Sequence, residues 1–255
     1  MQLKGKTILI TGGASGIGLE AARQFLANGA RVIITGRNQG KLDEAKKMHP
    51  AITAIKSDVS DSGDAQKFFN QIQQLGGIDI LYNNAGVLTD PINLGIANDQ
   101  HFEDSAHEMN VNYLAVIRLN NLFIDMLKSR KEGAIINTTS LLSYVPSLLE
   151  ATYAASKVAL QFYTKALRKH LQVLNSSVKV FELLPPLVAT EMTTGMNGKK
   201  MTTADMVKAF IAGLKKDQLN IRIGDTKAVY ILNRLFPKLT FNLANPKKSY
   251  KVIAS

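Results

Sequence analysis

Lys6-Thr7-Ile8-Leu9-Ile10-Thr11-Gly12-Gly13-Ala14-Ser15-Gly16-Ile17-Gly18 decides how the rest of this chain is read. The first half is a short apolar, β-branched run, the composition of a strand buried on both faces of a sheet. Beyond Gly18, Leu19, Ala22, Phe25 and Leu26 recur at helical spacing until Asn28-Gly29, a C-terminal stop signal. Strand, glycine turn and helix N-terminus in that order make a phosphate cradle: unpaired N–H groups and the positive end of the helix dipole face the anion, and glycines let the backbone approach it. The spacing is G-x-x-x-G-x-G, not the G-x-G-x-x-G of most dinucleotide-binding folds, so the turn takes its meaning from the strand before it and the helix after it.

The next strand, Arg31-Val32-Ile33-Ile34-Thr35, ends at Gly36-Arg37-Asn38. This tip lies about 20 residues beyond the glycine turn, where an NAD-specific site carries an acid for the ribose 2′-hydroxyl. Here there is no acid and there is Arg37. An acid repels a 2′-phosphate and a guanidinium pairs with one, so NADP(H) is expected in preference to NAD(H), against the plainer reading of a surface arginine.

Strands and helices then alternate: a helix over 38–48, a strand over 51–57, a helix from Ser62 to Leu75, and a strand from Asp79 running into Asn83-Asn84-Ala85-Gly86. A long helix over 102–127, a strand over 133–140, a helix from Ala151 to about Leu174, and a strand over 178–184 closed by Pro185-Pro186 follow. A last strand over 220–224 leads to a helix from Thr226 to Phe236 and a basic tail. The pattern predicts an α/β, Rossmann-type doubly wound parallel sheet of about seven strands, one dinucleotide-binding domain over 1–255. Ligands in such sheets bind outside the carboxyl ends of the strands. Gly12, Arg37, Asp58, Asn84, Ser140 and Pro185 all fall there, so residues distant in sequence are expected to converge on one crevice.

Five polar residues keep more than one reading. Asp58 either accepts a hydrogen bond from an adenine amino group or caps the helix that starts near Ser62. Asn83 and Asn84 line a cofactor ribose, tie neighbouring strands together, or do both. Asn110 and Asn112, poor helix formers inside a helix, mark a local bend or a polar task. Tyr153-Ala154-Ala155-Ser156-Lys157 puts a phenol and an ammonium on one helix face at i and i+4. A free phenol titrates near pKa ~10 and needs its phenolate stabilised to act at neutral pH, which a neighbouring ammonium can do. Alone the pair reads as an ordinary amphipathic helix with an exposed Lys and gains meaning only from its company; Ser140, 13 residues earlier, can be folded back beside the phenol by the intervening loop.

With Thr11-Gly12-x-x-x-Gly16-Ile17-Gly18, Asp58, Asn83-Asn84-Ala85-Gly86, Asn112, Ser140 and Tyr153-x-x-x-Lys157 in this order, the chain resembles the short-chain dehydrogenase/reductase family from about residue 4 to 195. The resemblance implies hydride transfer between nicotinamide and a carbonyl or alcohol. In it Tyr153 acts as acid and base, Ser140 hydrogen-bonds the substrate oxygen, Lys157 lowers the Tyr153 pKa and holds the ribose, and Asn112 anchors a water that links Lys157 to solvent. It implies nucleotide contacts at Gly12, Ser15, Gly16, Ile17, Gly18, Arg37, Asn38, Asp58, Val59, Asn84, Ala85, Gly86, Tyr153, Lys157, Pro185, Val188 and Thr190, and no metal. A homodimer through the helices near 105–128 and 151–174 is implied as well. Two departures stand out: Pro185-Pro186 replaces the family's Pro-Gly, and the C-terminus lacks the glycine-and-acid ending of family tetramers. Pro-Pro together with Ile221-Arg222-Ile223-Gly224-Asp225-Thr226-Lys227-Ala228 looks like a bacterial subgroup found beside teichoic-acid D-alanylation genes.

Composition sets the remaining bounds. No cysteine is present, which excludes disulfides, thiolate metal sites and a cysteine nucleophile. No signal peptide or membrane-length apolar run is evident, and a cytoplasmic setting is expected. The net charge of +11 is concentrated C-terminally: residues 199–255 hold 12 Lys and Arg against 3 Asp. That region, about 225–255 above all, is either a solvated face or an attractor for an anionic surface; no module for specific nucleic-acid readout accompanies it. Two glycines and three methionines between Thr190 and Met201 suit a substrate lid over about 190–202, or equally a plain surface loop. The competing function is a non-catalytic NADP(H)-binding sensor or scaffold.

Overall fold

β1 (Thr7–Thr11) is buried along its whole length and pairs in parallel on both edges, with β2 (Arg31–Gly36) and β4 (Ile80–Asn83). In the computed structural model, which describes residues 1–91 and 93–247, the sheet is completed by β3 (Ile52–Lys56), β5 (Ala134–Thr138), β6 (Lys179–Leu184) and β7 (Asn220–Arg222). The order is β3-β2-β1-β4-β5-β6-β7, with every pairing parallel, as the Rossmann-type expectation required. The connections diverge at β1 and β4, so the carboxyl ends of these two strands flank the switch-point crevice.

Strand alternation divides the core in two. Ile8, Ile10, Ile34 and Tyr82 face α1 (Gly16–Ala27), α2 (Gln39–Met48) and α7 (Thr203–Lys215). Leu9, Ile33, Leu81 and Ile135 face α3 (Ser62–Gln74), α5 (Ala115–Lys128) and α6 (Ala151–Val173). Phe25, Tyr82 and Phe210 meet with ring centroids 5.1 to 6.5 Å apart. Each fully buried side chain of this size contributes roughly 1.5–3 kcal/mol by leaving water.

Three features depart from the expectation. The long helix starts earlier, as α4 (Asp99–Met109), and is broken from α5 by a π-helical turn, Asn110–Leu114, at the two asparagines. α7 went unassigned, although Thr202 caps it by accepting the Asp205 N–H at 3.0 Å and Met206, Phe210 and Leu214 recur along its buried side. The start of the basic tail is a further helix, α9 (Pro237–Ala244), behind α8 (Thr226–Leu235); Pro237 opens it because a first-turn residue needs no N–H partner. Lys248 and Lys251 lie outside the described residues. No helix among the described residues is long and apolar enough to cross a membrane.

Candidate active site

The glycine turn is folded against the end of β4. Gly12 has φ +61°, and a Cβ there would stand 2.9 Å from the Ala85 Cα; a Cβ on Gly18 would collide with the Gly12 carbonyl oxygen. Thr11 Oγ1 accepts the N–H groups of Asn84 and Ala85, each at 3.0 Å, while Asn84 Nδ2 donates to the Thr11 and Gly12 carbonyls at 3.1 and 3.2 Å. Asn83 Nδ2 donates to Asn120 Oδ1 and Asn137 Oδ1, both at 2.9 Å. The strand-tying reading of both asparagines therefore holds, and Asn84 also faces the groove. Ser15 stands at the N-cap of α1 with its hydroxyl making no capping bond to the first turn.

Two cavities, of about 330 and 260 Å³, share Gly12, Ser15, Ala85 and Gly86 and so form one groove across the switch point. One end is walled by Arg37, Asn38, Lys41, Asp58 and Val59. The other is walled by Gly16, Ile17, Ser140, Tyr153, Lys157, Pro185, Pro186, Val188 and Thr190. Gly18 and Asn112 stand behind the wall. Asp58 Oδ1 accepts from Ser60 N and Oγ at 2.9 and 2.6 Å, whereas α3 is capped by Asp61; of the two readings of Asp58, the capping one belongs to a residue three positions later. Asn38 Oδ1 is engaged in capping α2 through the Lys41 N–H at 3.0 Å. Lys41, which sequence reasoning missed, adds a second cation beside Arg37 and pairs with Glu191 at 2.5 Å.

At the far end the Lys157 ammonium lies 5.5 Å from the Tyr153 ring centroid and donates to the Thr138 carbonyl at 3.1 Å. Lys157 is 3% exposed, and this desolvation drives its pKa down to about 8, with the Glu108 carboxylate opposing the shift. Lys157 is not among the groups that set the phenol's pKa here. Desolvation pushes Tyr153 up to about 12; the Ser140 hydroxyl pulls it down, and the anionic fields of Glu108 and Glu150 add to the rise. The phenol keeps part of its surface open to the groove. Ser140, just beyond β5, is held by accepting the Leu142 N–H at 3.1 Å, and the Leu141 N–H donates to Pro185 O at 3.2 Å. The loop after β5 thus brings Ser140 to Tyr153.

Asn112 is fully buried in the π-turn. Its Nδ2 donates to Val87 O at 2.9 Å and Ser156 Oγ at 3.0 Å, and its Oδ1 accepts the Val87 N–H at 2.9 Å. Both amide hydrogens are spent on protein, so the side chain has no donor left for a water. Glu108, one turn earlier and fully buried, was not singled out from sequence; its Oε1 accepts from Thr89 N and Oγ1 at 2.9 and 3.0 Å, and its Oε2 has no partner.

The loop from Ser140 to Tyr153 is also gripped from the C-terminal region, by residues to which the sequence assigns no role. Arg222 Nε donates to Tyr144 Oη at 2.8 Å with its guanidinium 4.0 Å from the Tyr230 ring centroid, and Asn233 Nδ2 donates to the Tyr144 carbonyl at 2.6 Å. The 190–202 segment is pinned at both ends, where Ala189 N–H donates to Met201 O and Met201 N–H to Leu187 O, each at 2.9 Å. Among the described residues no cluster of three or more His, Asp or Glu is placed to hold a metal ion.

A sequence model of the short chain dehydrogenases matches residues 6–201, across this whole groove. The chain belongs to the short-chain dehydrogenase family. An uncharacterized oxidoreductase, DltE, of Bacillus subtilis (strain 168) is 32% identical over 228 residues, 87% of this chain and 89% of that protein, in keeping with the bacterial subgroup named from sequence. A short chain dehydrogenase from Burkholderia cenocepacia J2315, solved in complex with NADP, superposes with a TM-score of 0.84 at 25% identity, covering 96% of this chain and 99% of its own. A 3-ketoacyl-(acyl-carrier-protein) reductase from Brucella melitensis, complexed with NADH, gives 0.77 at 26% identity, over 86% of this chain and 95% of its own. The family match and these oxidoreductase relatives identify the chain as an oxidoreductase of this fold.

Proposed function

We propose that this protein is an NADP(H)-dependent oxidoreductase acting on a carbonyl or alcohol, with Tyr153 as the group that gives or takes the proton. The observation that carries the reading is the single groove that runs from Arg37 and Lys41, past the glycine turn, to Ser140, Tyr153 and Lys157. Its residues fit a dinucleotide: two cations for a 2′-phosphate at one end, the N-terminus of α1 for the pyrophosphate, and a proton donor at the other. The nicotinamide supplies hydride in reduction and accepts it in oxidation.

The chain's own residues do the rest. Tyr153, with its pKa held at about 12, is protonated at neutral pH and is set to donate to an oxygen that becomes an alkoxide. Ser140 places a hydroxyl against that same oxygen, where charge develops. Lys157, near pKa 8, exchanges protons close to neutral pH and orients the ribose. Asn112 Oδ1, which accepts a single N–H, keeps a lone pair with which to anchor the water that connects Lys157 to solvent. The 190–202 segment closes over the substrate, and the Lys41–Glu191 pair ties it to α2. Exposed Leu114 and Phe162 support a homodimer through α5 and α6.

Tyr153→Phe tests the assignment. With NADPH and a panel of aldehydes and ketones, the variant keeps nucleotide affinity and loses turnover by about 10²–10⁴-fold. Turnover equal to the parent's would overturn it.

A further inference from the structure

The pair of helices α8 and α9 presents a face that the groove does not use. Tyr230, Asn233, Thr240 and Asn245 look inward, toward Tyr144 and the loop before α6. Ile231 and Leu235 stand on the outer side of α8 at 100° per residue, with Lys227 and Arg234 exposed on its flank, where Arg234 Nη1 donates to Tyr230 Oη at 3.3 Å. Ile231, Leu235, Phe236, Leu239 and Leu243 are 48, 64, 56, 49 and 63% exposed, although each is a large apolar side chain. From Thr226 to the last residue the sequence holds Lys227, Arg234, Lys238, Lys247, Lys248 and Lys251 and not one Asp or Glu. None of Lys227, Arg234, Lys238 and Lys247 forms an ion pair with a described residue.

We propose that the outer face of α8 and α9 docks this protein onto the surface of a lipid bilayer carrying anionic headgroups. Exposed leucines flanked by cations on short amphipathic helices are the composition of an interfacial anchor: apolar side chains enter the boundary between headgroups and acyl chains, while lysine and arginine stems extend to phosphates. Charge decides between occupants. A symmetric contact with a second copy would set this acid-free, cationic face against itself. A nucleic acid would satisfy the cations and leave five large apolar side chains in water. A bilayer with anionic lipids satisfies both sets. The docking depends on none of the catalytic assignments, so its failure leaves the oxidoreductase reading intact.

The test is co-sedimentation of the full chain with phosphatidylcholine vesicles, with and without phosphatidylglycerol. Binding to the anionic vesicles alone, weakened by salt, is expected. Leu235→Asn with Leu239→Asn reduces it by about tenfold or more per side chain. Lys227→Gln, Arg234→Gln and Lys238→Gln reduce it by about fivefold per cation. Both variants keep NADPH affinity and thermal midpoint, which shows that they are folded. No binding to anionic vesicles, or equal binding to neutral ones, overturns the proposal. Retention on heparin unchanged by the leucine substitutions, without vesicle binding, assigns the face to soluble polyanions and overturns it. Loss of a dimer on leucine substitution, again without vesicle binding, assigns it to self-association and does the same.

Discussion

Asn245, beyond the end of α9, accepts the Leu148 N–H at 2.8 Å, a contact spanning 97 residues, and its amide donates to the Pro146 carbonyl at 2.9 Å. Asn245 is 2% exposed, so both backbone groups depend on one buried side chain in the loop that joins Ser140 to Tyr153. Asn245→Ala leaves them without that partner. It is expected to cost about 1–3 kcal/mol in denaturant unfolding and to lower kcat while NADPH affinity is unchanged. Weakened NADPH binding with an unaltered kcat would place the effect elsewhere.

Lys157 is a cost to the fold. Its pKa falls from 10.5 in the unfolded chain to about 8 in the folded one, so the unfolded state binds more protons between these values. The penalty, about 3 kcal/mol, is present in full below pH 8 and disappears as pH rises toward 10.5. Lys157→Met is expected to abolish turnover yet raise stability at pH 7 by about 1–3 kcal/mol, with the gain shrinking as pH rises above 8. A variant less stable than the parent at pH 7 would contradict this.

Glu108 is expected to bear on the alkaline limb of turnover. Its carboxylate raises both the Lys157 and the Tyr153 pKa. Glu108→Gln keeps an acceptor for Thr89 and removes the charge, so both pKa values fall. The alkaline decline in turnover is expected at lower pH than in the parent; an unmoved or upward-shifted limb would show that the field of Glu108 does not reach the pair.

Much of this was legible in the chain because it rests on local signals. β1, the glycine turn and α1 follow from consecutive residues, and the crevice follows from strand ends once the sheet is parallel. Asn112 was legible as an anomaly and not as a π-turn, because its side-chain partners, Val87 and Ser156, lie 25 and 44 residues away. Asp58 was ambiguous because Asp61 supplies the same cap chemistry three residues on. Lys41, Glu108 and Asn245 had no signature, and Arg222 only a subgroup resemblance that gave it no role: their partners lie on other elements, and only the fold brings them together. α7 did have one, a Thr202-x-x-Asp205 cap ahead of a helical apolar pattern.

The most direct measurement is titration of the purified protein with NADPH and with NADH, following nicotinamide fluorescence, in the parent and in Arg37→Ala. The account predicts tighter binding of NADPH and loss of about 1–3 kcal/mol of that preference in the variant, the worth of a hydrogen bond to a charged group. A folded protein that binds neither nucleotide would contradict it.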